Sequence, residues 1–290
     1  MGQRLKIGSL CTGYGGLDLA AEAHFGAETV WCAEFDKYAS QVIEQRFNIP
    51  NYGNIKEINW ASVEPIDILT AGYPCQPFSH AGERKGLEDE RHIFPYILEA
   101  ISILRPRWVI LENVRGHLSL GLKEVLAGLT SIGYDARWQI VRASDAGAPH
   151  QRARLFIVAY PNSHACEESR RAIGSVPSKT TEVIYGSDRP IYGSSDKDVS
   201  NTNNQHKSHD GQVQELGRRF TSRCEMHMQE PPNALDQEGK LNAIFVEYMM
   251  GLPVGWVTDA GLSRAQQLKM LGNGVVPQQA EYALEQLVTL

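Results

Sequence analysis

The chain has 290 residues, 42% of them hydrophobic and 21% charged, with a formal net charge of -6. Such a length suits one large domain plus a small one, and the composition excludes a wholly disordered or fibrous chain. No run approaches the roughly 18 apolar residues of a membrane span, and the N-terminal MGQRLKIGSLCTG lacks a secretory apolar core, so a cytoplasmic protein without membrane association is expected.

In chain order, residues 5–10 form an apolar strand candidate, followed by the glycine-rich turn CTGYGG and helical spacing over 17–25. A second strand over 29–33 ends at Glu34-Phe35-Asp36, and 37–47 reads as a helix. The third strand, 66–71, runs into Gly72-Tyr73-Pro74-Cys75. Residues 94–104 are helical, 108–112 a buried strand, 122–132 helical and 155–160 a strongly apolar late strand. Strands alternating with helices imply an α/β fold, with a mostly parallel sheet covered on both faces. In such sheets ligands sit at the carboxyl ends of strands, where the polar motifs of this chain cluster.

Composition shifts at Pro161. From 161 to 240 the chain is rich in Ser, Thr, Asn, Gly and His, with ten Lys plus Arg against twelve Asp plus Glu, so it is no strongly basic arm. A small domain, a long surface insertion and partial disorder all fit that composition. Apolar patterning resumes at FVEYMMGLP, and LGNGVVPQ leads into a helix over 278–287.

Four motifs carry chemistry. Glycines between a strand and a helix, as in CTGYGG, let backbone N–H groups approach a ligand. Glu34, at the end of the next strand, is placed to accept from ribose hydroxyls, and Phe35 to lie against a purine. A nucleoside-binding turn and a plain packing turn both remain open on these residues. Five cysteines stand at 11, 32, 75, 166 and 224, an odd number without C-x-x-C spacing, so neither a disulfide framework nor a structural zinc site is expected. Cys75 differs from the others because Pro74 and Pro77 hold it on a rigid turn at the ligand edge. The charged segment HAGERKGLEDERH after it reads as a closing loop. Glu112, past four apolar residues, is placed for burial and a raised pKa. Arg152 and Arg154 share one face if their segment is extended, and suit an anionic or carbonyl-bearing ligand.

Taken in order, GYGG, Glu34-Phe35-Asp36, PCQPFS, ENV, HQRAR and GNGVVPQ resemble the C5-cytosine DNA methyltransferases, over residues 7–160 and 242–290. The resemblance implies a Rossmann-like S-adenosylmethionine-dependent methyltransferase sheet. It also implies a division into a catalytic and cofactor domain (1–161), a small target-recognition domain (162–262) and a returning C-terminal segment (263–290). It places Gly13, Gly15 and Gly16 against the methionine part of S-adenosylmethionine, with Leu17 and Phe35 on the adenine and Glu34 on the ribose. Asn54, Ile55, Pro74, Asn273 and Val275 complete the cofactor pocket. Cys75 is the implied nucleophile, Glu112 the contact to N3 and the amino group of a flipped cytosine, and Arg152 and Arg154 the residues that hold the base and the loop. Ser79, Arg84, Lys85 and Arg91 are the implied DNA contacts, and no metal is implied.

Three positions depart from the family pattern. Asn54 replaces the usual Asp, with an oxygen still able to accept from the adenine amino group. His150 stands where Gln is common. LNAIFVEYMMGLP keeps only the Gly-Leu-Pro end of its motif, so altered packing of the recognition domain is expected there.

The chemistry accounts for the residue types. A thiolate can add to C6 of cytosine and leave again, whereas a serine alkoxide is hard to generate. Nearby positive charge must favour that thiolate, with Arg152 and the loop cations as candidates. The cytosine must leave the duplex to be reached. An expected activity on double-stranded DNA follows, by a monomer, with a cognate restriction endonuclease as a functional partner that forms no stable complex. An RNA cytosine methyltransferase and a non-catalytic DNA-binding homologue are the alternatives. Since the whole chain is acidic, a basic cleft is expected, lined by Arg84, Lys85, Arg152, Arg218, Arg219 and Arg223.

Overall fold

The computed structural model describes residues 4–74, 93–162 and 230–288. Six strands form one sheet, β1 (Lys6–Leu10), β2 (Glu28–Ala33), β3 (Ile68–Gly72), β4 (Trp108–Val114), β5 (Tyr134–Val141) and β6 (Arg154–Pro161), in the order β2-β1-β3-β4-β6-β5. The first four strands in that order run parallel, and β6 is antiparallel to both β4 and β5. Among the described residues the helices are α1 (Gly16–Phe25), α2 (Lys37–Arg46), α3 (Phe94–Leu104), α4 (His117–Leu120), α5 (Leu122–Ser131), α6 (Ala243–Met249), α7 (Arg264–Asn273) and α8 (Pro277–Leu287). This is the α/β sheet expected from the alternation of strands and helices. β5, α4, α6 and α7 were not among the expected elements. The alternation of YDARWQIV did carry a signal for β5, because its polar Asp135, Arg137 and Gln139 share one face of an edge strand.

Both faces of the sheet are covered. On one, Leu10, Leu69, Val109 and Leu111 pack against Phe94, Ile97 and Ile101 of α3 and Val125 and Leu129 of α5. On the other, Ile7, Ile68, Ile110 and Val158 meet Leu17 and Ala20 of α1 and Ala280 and Leu284 of α8. Each such fully buried aliphatic side chain contributes roughly 1.5–3 kcal/mol relative to exposure.

Local chemistry sets the helix ends. α2 starts where the Asp36 carboxylate accepts from the N–H groups of Tyr38 and Ala39, at 2.8 and 3.1 Å. α7 starts at a Ser263–Gln266 capping box and α8 at Pro277.

Residues 243–262, allotted to the recognition domain on sequence, pack here against the first two helices of the sheet domain. Met250, Leu252, Trp256 and Val257 share a core with Tyr14, Leu19, Val42 and Phe47. Glu247 organises this segment from within. Its buried carboxylate accepts from the backbone N–H groups of Gly255, Val257 and Thr258 and from the Thr258 hydroxyl. Four donors satisfy its two oxygens, which is how a Glu can occupy this core.

The order of strands positions the site. From β1 the chain leads to β2 on one side, while β3 lies on the other, and a crevice opens at the carboxyl ends where the order reverses. Because β6 is antiparallel, its amino end lies at that same edge, with Arg154 opposite Val114 and Phe156 opposite Glu112.

Candidate active site

A cavity of about 900 Å³ opens over the ends of β1, β2, β3 and β4, walled on one side by α7 and the loop into α8. Of the residues expected to bind a cofactor, Gly13, Leu17, Glu34, Phe35, Asn54, Ile55, Pro74, Asn273 and Val275 line it. Glu112 and Arg154 line it as well. The strand-end rule accounts for this convergence of residues as far apart as Gly13 and Val275.

At one end stands Glu34. It is buried, and its two oxygens accept from the backbone N–H groups of Gly13 and Asp36, at 2.8 and 2.7 Å. Burial raises its pKa, and these two N–H bonds oppose the rise. Gly13 itself has φ +60°, and a Cβ there would meet no protein atom within 4 Å, so it presents bare backbone to open space. Phe35 is 79% exposed on the rim, an apolar ring left largely open.

At the other end stands Glu112, only 7% exposed, with Oε1 at 3.0 Å from Nε of Arg154. Burial pushes its pKa up to about 7, against the pull of Arg154 and then of Arg152. Near neutral pH this carboxyl can therefore accept or donate a hydrogen bond. Neighbouring Asn113 donates to the carbonyl of Tyr73 at 3.1 Å and so ties the end of β4 to the turn that follows β3.

Several expected roles change. Gly15 and Gly16 do not line the cavity. A Cβ on Gly15 would lie 2.4 Å from the Phe47 ring, and one on Gly16 would lie 2.1 Å from the carbonyl oxygen of Val275. Both glycines are required by neighbouring protein atoms. Arg152 is also absent from the lining. Its φ is +29°, so the segment is not extended there and the shared face with Arg154 does not form. Instead Nη2 of Arg152 donates to the carbonyls of Gly272 and Gly274, both at 2.7 Å, and the residue clamps the loop that walls the cavity. It is therefore not free to line a phosphate-binding cleft. Asn54 lines the cavity, but its oxygen accepts from Lys56 N–H at 3.2 Å as the cap of a short 3-10 helix, and its amide donates to Glu57 at 2.7 Å.

Cys75, Ser79, Arg84, Lys85, Arg91, Arg218, Arg219 and Arg223 lie outside the described residues. Among the described residues, no group of three or more His, Cys, Asp or Glu side chains could hold a metal ion, and no helix is long and apolar enough to cross a membrane.

The acid at the floor of the cavity was missed on sequence. Asp18, in the first turn of α1, is 1% exposed and lines the cavity floor. An acid inside an apolar helical pattern, GLDLAA, was the available signal.

A family profile described as C-5 cytosine-specific DNA methylase matches residues 5–210. The chain belongs to that family. Among its relatives, the Type II methyltransferase M.Bsp6I of Bacillus sp. (strain RFL6) is 38% identical over 166 residues, covering 54% of this chain and 53% of that protein. The Type II methyltransferase M.HhaI of Haemophilus parahaemolyticus is 35% identical over 163 residues, 54% of this chain and 50% of that one. These matches span about half the length of the curated relatives. Two solved structures share the fold. A putative DNA modification methyltransferase encoded within an Escherichia coli prophage superposes with TM-score 0.61, 19% identity and coverage of 98% and 99% of the two chains. A mutant DNMT2 from Spodoptera frugiperda gives TM-score 0.62 at 16% identity, covering 98% of this cytosine methylase family member and 100% of that chain.

Proposed function

We propose that this protein transfers a methyl group from S-adenosylmethionine to C5 of a cytosine flipped out of a short specific sequence in duplex DNA. The observation that carries this reading is the pairing, within one cavity, of a nucleoside-type acceptor at Glu34 with a buried Glu112–Arg154 pair. Bound S-adenosylmethionine supplies an electrophilic methyl group. The cavity fits such a molecule. Bare backbone at Gly13, the acceptor Glu34 and the apolar Phe35 suit a nucleoside, and a buried carboxylate oxygen of Asp18 without a partner suits a cation.

In this reading Cys75 adds through sulfur to C6 of the base, as the resemblance of PCQPFS implies. The ring then carries electron density that Glu112, neutral near pH 7, relieves by donating to N3. C5, activated by that addition, would take up the methyl group that the cofactor supplies, and loss of the C5 proton would release the thiolate again as the C6–S bond breaks. Arg154 fixes the Glu112 carboxyl and keeps it at the cavity wall. Arg152 acts one step further out, as a positioning residue for the loop of Gly272–Gly274. Ser79, Arg84, Lys85 and Arg91 contact the DNA, and the polar sequence from 162 towards α6 supplies the sequence-reading surface. The protein works as a monomer in the cytoplasm, alongside a cognate endonuclease that forms no stable complex with it.

The test is bisulfite sequencing of unmethylated genomic DNA treated with the protein, with Cys75→Ala as control. Protected cytosines in one short context, lost in the variant, are expected. No protected context, with S-adenosylmethionine still bound, overturns the reading.

A further inference from the structure

The floor of the cavity holds a polar cluster that takes no part in the bond changes of the proposed reaction. The Ser9 and Thr12 hydroxyls lie 2.8 Å apart, and the Thr70 hydroxyl donates to Oδ1 of Asp18. The other oxygen, Oδ2, is closed to solvent and has no hydrogen-bond partner among the described residues. A buried carboxylate oxygen without a donor is costly, and it persists where a nearby positive charge compensates it or where function requires it. Among the described residues, none of the four salt-bridge pairs includes Asp18.

Strand register places this carboxylate between the two ends of the cavity. Its partner Thr70 on β3 is the Cα neighbour of Ser9 on β1. Two residues on, about 7 Å further along the strand and on the same face, Gly72 pairs with Glu112. A Cβ on Gly72 would lie 3.7 Å from a Glu112 oxygen. On the opposite side, Ser9 pairs with Cys32, two residues before Glu34. A ligand whose ribose is at Glu34 and whose transferable group faces a base at Glu112 must pass over Asp18 between them.

Resting on the proposed function, we infer that Asp18 is the counter-charge for the sulfonium of S-adenosylmethionine and sets the preference for cofactor over product. Methyl transfer removes that positive charge and leaves a neutral thioether. The ionised carboxylate then attracts the bound cofactor and not, through that centre, the product. An oxygen without a full hydrogen bond keeps its charge available to act through space, and the low-dielectric floor strengthens it. Burial raises the pKa of Asp18 to about 6, opposed by the Thr70 and Ser9 hydroxyls, so the group is anionic at pH 8. The first turn of α1 also favours the anion.

Isothermal titration calorimetry of the full chain at pH 8, with S-adenosylmethionine and S-adenosylhomocysteine, tests this without measuring turnover. Wild type is expected to prefer the sulfonium ligand. Asp18→Asn, which keeps the shape, is expected to lower that preference by about tenfold, with the product affinity little changed. A loosened pocket would weaken both ligands by the same factor, and that result overturns the inference. Wild-type protein gives a second readout independent of the variant's folding. Sinefungin, which carries a protonated amine in place of the sulfonium, is expected to bind like the cofactor, and binding like the product overturns the inference. Failure of wild type to bind any of the three would instead overturn the cofactor reading itself.

Discussion

The two ends of the cavity each hold one glutamate at the end of a strand, and the two are almost equally buried, Glu34 at 9% and Glu112 at 7% exposure. Their partners differ. Glu34 accepts from two backbone N–H groups, which favour a fixed anion with lone pairs left for a ligand's hydroxyls. Glu112 faces the Arg154 guanidinium with little else to solvate it, and its pKa rises to about 7. Both carboxylates are raised by burial, but backbone donors oppose the rise at Glu34, whereas Glu112 is placed to change its proton near neutral pH. Strand ends deliver a carboxylate to the ligand edge, and the surrounding donors decide whether it binds or reacts.

The largest effect should come from breaking the reactive end. Glu112→Ala is expected to slow single-turnover methyl transfer by about 100- to 1,000-fold, the range for loss of one preorganised donor. Cofactor affinity, measured by calorimetry, should change little. An equal loss of both would show that the two ends are not separable. At the binding end, Glu34→Ala should weaken S-adenosylmethionine binding by about 10- to 100-fold, the worth of hydrogen bonds to a charged group. The rate of transfer at saturating cofactor should be nearly preserved.

The comparison also carries a sign in pH. The Glu112 carboxyl titrates near 4.5 when exposed and near 7 in the folded chain, so the native state binds its proton more tightly. Its stabilising contribution is complete below 4.5, declines as pH rises and is gone above about 7, worth at most about 3 kcal/mol. Asp18, raised from 3.8 to about 6, acts in the same direction over a lower window. Denaturant titrations from pH 5 to 8 should show wild type losing stability, and Glu112→Gln should flatten the upper part of that loss. Equal slopes in the two proteins would mean that Glu112 is not buried as described.

Much of this arrangement was legible in residues. Glu34 and Glu112 follow apolar runs whose length and β-branched content mark buried strands, and the strand-end rule then sends both to one edge. What stayed hidden depends on geometry that spacing does not encode. The antiparallel course of β6, which brings Arg154 beside Glu112, is a property of sheet order and not of LFIVAY. The clamp made by Arg152 needs a left-handed backbone that no side-chain pattern announces. Gly15 and Gly16 looked like ligand-facing glycines because Gly13 is one, yet their neighbours are Phe47 and Val275, 32 and 259 residues away. Asp18 escaped notice because one acid in an apolar helix reads as a surface position until the helix is known to be covered.

The smallest effect distinguishes the two arginines, which the sequence pairs and the structure separates. Arg154 touches Glu112 directly, whereas Arg152 holds the cavity wall through two carbonyls and acts on Glu112 only as a more distant charge. Arg152→Lys keeps the charge but loses the planar, longer-reaching guanidinium whose Nη2 donates to both carbonyls. Cofactor affinity should therefore fall by about fivefold, in line with one or two net hydrogen bonds, while the pH dependence of single-turnover transfer stays in place. Arg152→Met removes the charge as well, and the Glu112 carboxyl should then titrate at higher pH. Activity that depends on the neutral acid should extend upward with it. A shift of the profile already in the lysine variant would mean that Arg152 reaches the reactive end after all, and the division of labour between the two ends would fail.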